Sequence, residues 1–425
     1  MKRFIFAALP ILSAGIFFAC STYVSGGTSE ETNTIAGVVT LPSGDVAARV
    51  AVEAQAVSGT DSTIYRDTTN SKGEFSISPK ANGVYGLSGI SKDYAFYDTI
   101  SVYGKSVSRN AELVQTETIS GNVFLRTNEA AQGAVVSIAG SPWKAVVDED
   151  GSFTLFDVPQ GEHSIQVLSP KTNYVLSQNY TVHVAESSDS STVKSIAEPW
   201  ILPLSPDYAM AGYWTFESLI EKVAPDVRGV SGNAKLYGDA SLEAGRDASK
   251  AIHFESASDF AVVENDKGVL DSAKAFTVEA WVNIQSLQSD SSFVKNIFGK
   301  LGFSDSAVFS LSVLQDTCGI EGSAFGFFMA QGSGDSLRCE SAVIGRSHVE
   351  LERWNYVAAS WSGDTAKLYV NGKFEASVAT NFTELVGENG IPLYFGKENL
   401  KMSIDEVRLS TTAIEASDAL YRYQE

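Results

Sequence analysis

Short alternating segments separated by turn residues constrain this chain more than any other feature. The runs Trp354-Asn355-Tyr356-Val357-Ala358-Ala359-Ser360-Trp361, Lys367-Leu368-Tyr369-Val370 and Ser403-Ile404-Asp405-Glu406-Val407-Arg408-Leu409 are of this kind, as is Phe276-Thr277-Val278-Glu279-Ala280-Trp281-Val282. A period of two is the signature of a strand with one buried face. Asn371-Gly372 follows one such run directly, and this dipeptide supplies the positive-φ pair of a tight hairpin. Helical periodicity is scarce, so the expected class is all-β. At 425 residues the chain is too long for one ordinary β-domain.

The hydrophobic content of 44% is enough to bury real cores. With 31 basic against 51 acidic residues the formal charge is −20, which disfavours nucleic acid, whose phosphates need a basic footprint. It also disfavours electrostatic adsorption to anionic membranes. Solubility is one use of such acidity; calcium held by some of the carboxylates is another.

Residues 1–19 have the form of a targeting segment. Lys2-Arg3 is a basic start, and Phe4 to Phe18 is apolar but too short and wrongly flanked to span a bilayer. The segment ends in Ala19-Cys20, and a small residue before Cys at this point resembles a bacterial lipoprotein signal. That resemblance implies cleavage before Cys20, lipidation of Cys20 and outer-membrane anchoring, with Ser21 fitting the sorting rule. Phe17 stands where such signals usually carry Leu, and simple secretion with a free thiol is the alternative. Residues 20–33 are small and polar, as a tether should be. Cys318 and Cys339 are the other cysteines, and export makes a disulfide between them the default. Closing a loop of about twenty residues is worth roughly 3 kcal/mol in the chain-entropy model.

Two segments precede the C-terminal region. The first runs Ile35-Ala36-Gly37-Val38-Val39, Val50-Ala51-Val52, Ser71-Lys72-Gly73-Glu74-Phe75-Ser76-Ile77; the second runs Ile119-Ser120-Gly121-Asn122-Val123, Val135-Val136-Ser137-Ile138, Asp150-Gly151-Ser152-Phe153-Thr154-Leu155. Their Gly-x-Phe elements lie roughly eighty residues apart, the spacing of whole small domains and not of solenoid repeats. Gly73 and Gly151 are turn residues, after which Phe75 and Ile77, or Phe153 and Leu155, share a strand face. The pattern resembles the carboxypeptidase regulatory-like family, which implies two non-catalytic β-sandwiches, residues 34–115 and 116–186, used as spacers or adhesion modules. Pro199, Pro203 and Pro206 mark residues 187–209 as a linker.

The strand runs quoted first, together with Tyr213-Trp214-Thr215-Phe216-Glu217, resemble the laminin G-like, concanavalin A-like jelly-roll family over residues 210–425. The resemblance implies a β-sandwich that closes its opening strand beside its final one. It also implies a binding module, most often for carbohydrate or glycoprotein, with only some branches enzymatic. The expected fold is therefore two small β-sandwiches followed by a jelly roll. The glycan-hydrolysing branch that retains configuration carries alternating acids on one strand. No Glu-x-Asp-x-Glu run is present, and Asp148-Glu149-Asp150-Gly151 reads as a solvated turn. A non-catalytic surface protein is expected; an adhesion protein with a protein partner is the alternative, and a glycan-active enzyme a further one.

Alternation places Asp405 on one face with Val407 and Leu409, where an unneutralised carboxylate is costly. By the family resemblance, Asp405 and Glu217 are candidate ligands of a structural calcium, whose oxygen preference they suit. A carboxylate capped by main-chain amides or paired with Arg is the competing reading. Trp214, Trp281, Trp354 and Trp361 lie in strand motifs and are expected in the core. Tyr237, Phe303, Phe325, Phe327 and Phe328 fall in less regular stretches, where rim loops would carry binding residues. The histidines His163, His183, His253 and His348 match no zinc spacing.

Overall fold

A computed structural model describes residues 33–58, 63–185, 194–287, 294–301, 307–329, 339, 342–381, 383, 385, 391–397 and 400–425. Cys20, the targeting segment, most of the tether and Phe303 lie outside the described residues. The chain is nearly all β, as expected, with three separate large hydrophobic cores.

The first core is built around Ile35, Val39, Val52, Phe75, Ile77 and Leu87. Strand Thr34–Thr40 pairs antiparallel with Glu74–Ile77 and parallel with Ser106–Ser108 and Ala111–Glu112. The turn read at Ser71-Lys72-Gly73 is present: Gly73 sits at φ 74°, and Asn70 Oδ1 accepts from the N–H groups of Lys72 and Glu74. The second core holds Phe153 and Leu155 after Gly151, which sits at φ 87°.

These two units share a sheet. Strand Tyr94–Val102 of the first pairs with Val114–Leu125 of the second through Tyr94↔Gln115 and Ala95↔Val114. The junction is tight: Tyr97 Oη donates to the Ala139 carbonyl at 2.6 Å, and a Cβ at Gly86 would collide with the Gly140 carbonyl. The expected linker is in part a correction. Lys194–Ser195 and Trp200–Leu202 are strands, parallel to Val114–Leu125, that complete the second unit. Trp200 stacks on Tyr180 at 4.3 Å, and Leu202 is fully buried. The prolines misled because they flank this short strand, where no ladder N–H is needed.

The third core lies between two eight-stranded sheets. One sheet runs from Ser241–Ala244 through Lys250–Phe254, Leu400–Ser410, Phe276–Leu287, Trp354–Trp361 and Thr365–Val370 to Lys373–Ala379, with Met210–Trp214 beside Leu400–Ser410. The opening strand thus closes beside the final one, as expected. Asn371 and Gly372 turn the predicted hairpin at φ 49° and 75°. Trp214 and Trp361 are wholly buried, as expected of core residues. Phe325, Phe327 and Phe328 are not on a rim loop. They belong to strand Ser323–Met329 and are buried on both of its faces, which erases the alternation a one-sided strand would show. Cys318 and Cys339 form the expected disulfide, with a Cα–Cα distance of 5.2 Å. A C-terminal helix, Ala416–Gln424, packs on the outer face of the first sheet over Trp281, Tyr356 and Tyr369.

Candidate functional site

The final strand is bulged, and this decides where its carboxylates point. Glu279 pairs with Arg408 and Trp281 with Asp405, so Glu406 and Val407 together oppose Ala280. Glu406 takes φ 51° to accommodate the extra residue. Simple alternation therefore fails here. Met402, Ile404, Val407 and Leu409 enter the core, whereas Asp405 lies on the outer face with Ser403 and not with Val407 and Leu409.

Asp405 is nonetheless wholly buried. Its Oδ2 accepts from Ser249 Oγ at 2.7 Å and its Oδ1 from the Glu406 N–H at 2.8 Å. Gly245 closes the pocket, because a Cβ there would lie 2.8 Å from Asp405 Oδ2. Burial pushes the Asp405 carboxyl up to about 6, and the neighbouring Glu406 and Glu217 add to the rise against the two hydrogen bonds. Glu217 is exposed, and its Oε1 accepts from the Lys250 N–H at 3.3 Å. Two carboxylates and one hydroxyl fall short of the six to eight oxygens calcium takes. No cluster of three or more acidic, His or Cys side chains occurs among the described residues. Both Asp405 oxygens already accept hydrogen bonds, the geometry of a capped carboxylate. Arg246, the nearby cation, lies instead over the Trp281 ring at 4.2 Å.

One register further along the same outer face, His253, Ser403, Asn283 and Trp354 form a row across four adjacent strands. His253 and Ser403 are held by hydrogen bonds to each other and to their neighbours. His253 Nδ1 lies 3.2 Å from Ser403 Oγ and its Nε2 lies 3.0 Å from Glu255 Oε2. Gln285 Nε2 donates to Ser403 Oγ at 3.1 Å, Ser403 Oγ donates to Glu243, and Lys401 Nζ donates to Glu255 at 2.8 Å. Ser403, His253 and Glu255 stand in the order of a hydrolase triad. Ser403, however, is 0% exposed and its proton is directed at Glu243, so it cannot reach a scissile bond. What remains accessible is a platform of exposed and half-exposed carboxylates with part-buried imidazole and amide groups on rigid strands, ending at the half-buried Trp354. Testing the histidines for metal spacing overlooked it. The signal available was His253 as the outward residue between Ile252 and Phe254, both buried.

Among the described residues of the candidate rim aromatics, Tyr237 is half-exposed, and it is part of a ladder on the other sheet. Lys235 Nζ sits 5.2 Å from the Tyr237 ring, Tyr237 stacks on Phe260 at 4.9 Å, Phe260 meets Tyr394 at 5.8 Å, and Lys397 Nζ covers Tyr394 at 4.5 Å. The ring faces are largely taken up by one another, which leaves mainly edges for a ligand.

Beneath the C-terminal helix lies a buried ionic cluster. Arg422 Nη1 donates to Glu279 Oε2 at 2.6 Å, Tyr356 Oη donates to the same oxygen at 2.9 Å, and Arg408 stands 3.7 Å from Glu279 Oε1. Asp148, Glu149 and Asp150 line a shallow groove on the second unit, and Asp150 accepts from the Ser152 N–H as an ordinary turn residue.

Residues 255–419 match the family described as the concanavalin A-like lectin/glucanases superfamily. No curated protein matches the chain. Among solved structures, it is similar to domain 4 of AbnA, a GH43 extracellular arabinanase from Geobacillus stearothermophilus in complex with arabinotriose. That likeness has 18% identity over 50% of this chain and 97% of that one, with a TM-score of 0.38. The binding domain of Paraclostridial Mosquitocidal Protein 1 is similar at 15% identity, 52% of each chain and a TM-score of 0.42. The receptor-binding domain of a botulinum neurotoxin C/D mosaic serotype is similar at 17% identity, 52% of each chain and a TM-score of 0.41. The chain thus spans about half the length of these two toxin domains. Its C-terminal part, over residues 255–419, is a concanavalin A-like jelly-roll domain.

Proposed function

We propose that this chain is an exported, lipid-anchored surface protein whose jelly roll binds carbohydrate without cleaving it. The observation that carries the reading is the platform of Glu243, His253, Gln285 and Asn283 beside Trp354. Sugars are recognised by fixed donors and acceptors facing their hydroxyls and by an aromatic ring against a C–H face. Here Glu243, His253 and Gln285 come from neighbouring strands and are held through Ser403, so little ordering entropy is lost on binding. Glu243 and Glu255 flank the imidazole, and the chain as a whole is strongly acidic. Like charges repel, so neutral polysaccharide is the favoured class over acidic polysaccharide. In this reading Cys20 carries the lipid, the outer membrane is the site of anchoring, and the two small sandwiches act as spacers.

Pull-down on insoluble neutral polysaccharides tests the reading. Retention by a neutral polymer should fall by about tenfold or more in Gln285→Ala and Trp354→Ala, the loss of one or two good contacts. Retention by none of the polymers, or retention indifferent to both substitutions, would refute it. A second reading, a protein-binding adhesin, is favoured by one feature: Phe374, Leu420 and Tyr423 are 49%, 44% and 38% exposed, and the latter two meet at Gly372. Cell-surface capture that is lost in Phe374→Ser but kept in Gln285→Ala would select it.

A further inference from the structure

The C-terminal helix is tied on two sides. Toward the jelly roll, Arg422 grips Glu279, and Lys367 Nζ holds Glu415 at 2.7 Å. Toward the second sandwich, Asp418 accepts from the Leu204 N–H, and Arg126 Nε stands 3.5 Å from Asp418 Oδ2. The second Asp418 oxygen already accepts from the Glu415 N–H at 2.8 Å. Beside this contact a crevice of about 490 Å³ opens between the two bodies, with Arg126, Thr127 and Asn128 on one wall and Glu415 and Ser417 on the other.

Arg126 is out of balance with its surroundings. Its side chain is only 17% exposed, yet it makes no hydrogen bond to any described residue. Nε is buried without an acceptor, whereas the two terminal nitrogens keep solvent access at the crevice wall. Asp418, its ion-pair partner, also accepts from two main-chain N–H groups, and Glu415 on the opposite wall is paired with Lys367. A planar guanidinium fork with an open side matches a carboxylate bidentately. Small-ligand sites often form between domains.

We propose that this crevice binds a carboxylate-bearing small molecule, a sugar acid or a free organic acid, with Arg126 gripping the carboxylate and Thr127 and Ser417 offering hydroxyls to the remainder. The site is separate from the polysaccharide platform and stands or falls independently of it. Calorimetric titration of the whole chain with galacturonate, acetate and galactose at matched ionic strength tests it. Galacturonate should bind, galactose should not, and Arg126→Met should weaken binding by about tenfold or more, the loss of a bidentate charged pair. Because Arg126→Met also removes the contact to Asp418, Ser417→Glu serves as a second variant. It places a negative charge at the opposite wall and should abolish binding while the helix ties remain. Acetate binding as tightly as galacturonate would support the site and assign it to free organic acids; weaker acetate binding would assign it to sugar acids. Galacturonate binding no better than galactose, or binding unchanged in both variants, overturns the proposal.

Discussion

The substitution Asp405→Asn should stabilise this protein at neutral pH. The folded chain pushes the Asp405 carboxyl from 3.8 up to about 6, burial being the largest cause. The folded state therefore holds this proton more tightly than the unfolded state. Below pH 3.8 both states are protonated and no penalty exists. As pH rises from there to about 6, the unfolded chain loses its proton first and stability falls; above that the penalty is constant. At 1.36 kcal/mol per unit the loss amounts to roughly 3 kcal/mol. Asparagine keeps the shape: its Oδ1 can accept from the Glu406 N–H, and its amide can donate to Ser249 Oγ. The C-terminal unfolding transition should then rise by about 6–12 °C at pH 7.5, on the usual scale for a domain of this size, and hardly at all at pH 4. Scanning calorimetry between pH 4 and 8 measures both. A variant less stable than the parent at pH 7.5, or a parent whose stability is flat from pH 4 to 7, would refute the reasoning. If millimolar calcium stabilises the parent and not Asp405→Asn, a cation neutralises this carboxylate, and the capped reading is wrong.

Glu279→Gln should cost about 3–5 kcal/mol, because it leaves Arg422 buried without a counter-charge, and the double variant Glu279→Gln/Arg422→Met should recover most of the loss; denaturant titration distinguishes the two, and additive losses would contradict the pairing. Cys318→Ser should lower stability by roughly 3 kcal/mol at most and affect only the C-terminal transition; two free thiols in folded parent protein would remove the premise. Cys20→Ala should release the protein from membranes, and mass spectrometry of the parent N-terminus should find acylated Cys20; an unacylated peptide running through Cys20 would end the lipoprotein reading.

Local chemistry made much of the fold readable. Asn371-Gly372 could turn a hairpin because both residues accept positive φ, and Gly73 and Gly151 announced their turns for the same reason. Of the four tryptophans expected in the core, Trp214 and Trp361 are there, whereas Trp281 and Trp354 lie on the outer face of the sheet. What escaped depends on partners distant in the chain. The bulge at Glu406 is set by pairing with Phe276–Leu287, and one extra residue exchanges the faces of everything beyond it. Trp200 looked like part of a proline-stiffened linker because its partners, Tyr180 and Phe153, are not its neighbours in sequence. The helix at Ala416–Gln424 is held by Arg422 reaching Glu279 and by Asp418 reaching Leu204, contacts that no local periodicity encodes. His253 shows the same limit. Its role comes from Ser403 and Gln285, which only the assembled sheet brings to it.

The parallel strand pairs of the two small sandwiches give the chain a mechanical character. In the first, Thr34–Thr40 lies parallel to Ser106–Ser108 and Ala111–Glu112, so the entering and leaving segments run side by side. The second repeats this, with Val114–Leu125 parallel to Lys194–Ser195 and Trp200–Leu202. Tension applied between the N-terminus and the jelly roll pulls the two strands of each pair past one another lengthwise. Their cross-strand hydrogen bonds are then loaded together in shear and cannot peel open one at a time. Such a pull would load each sandwich along its most resistant direction.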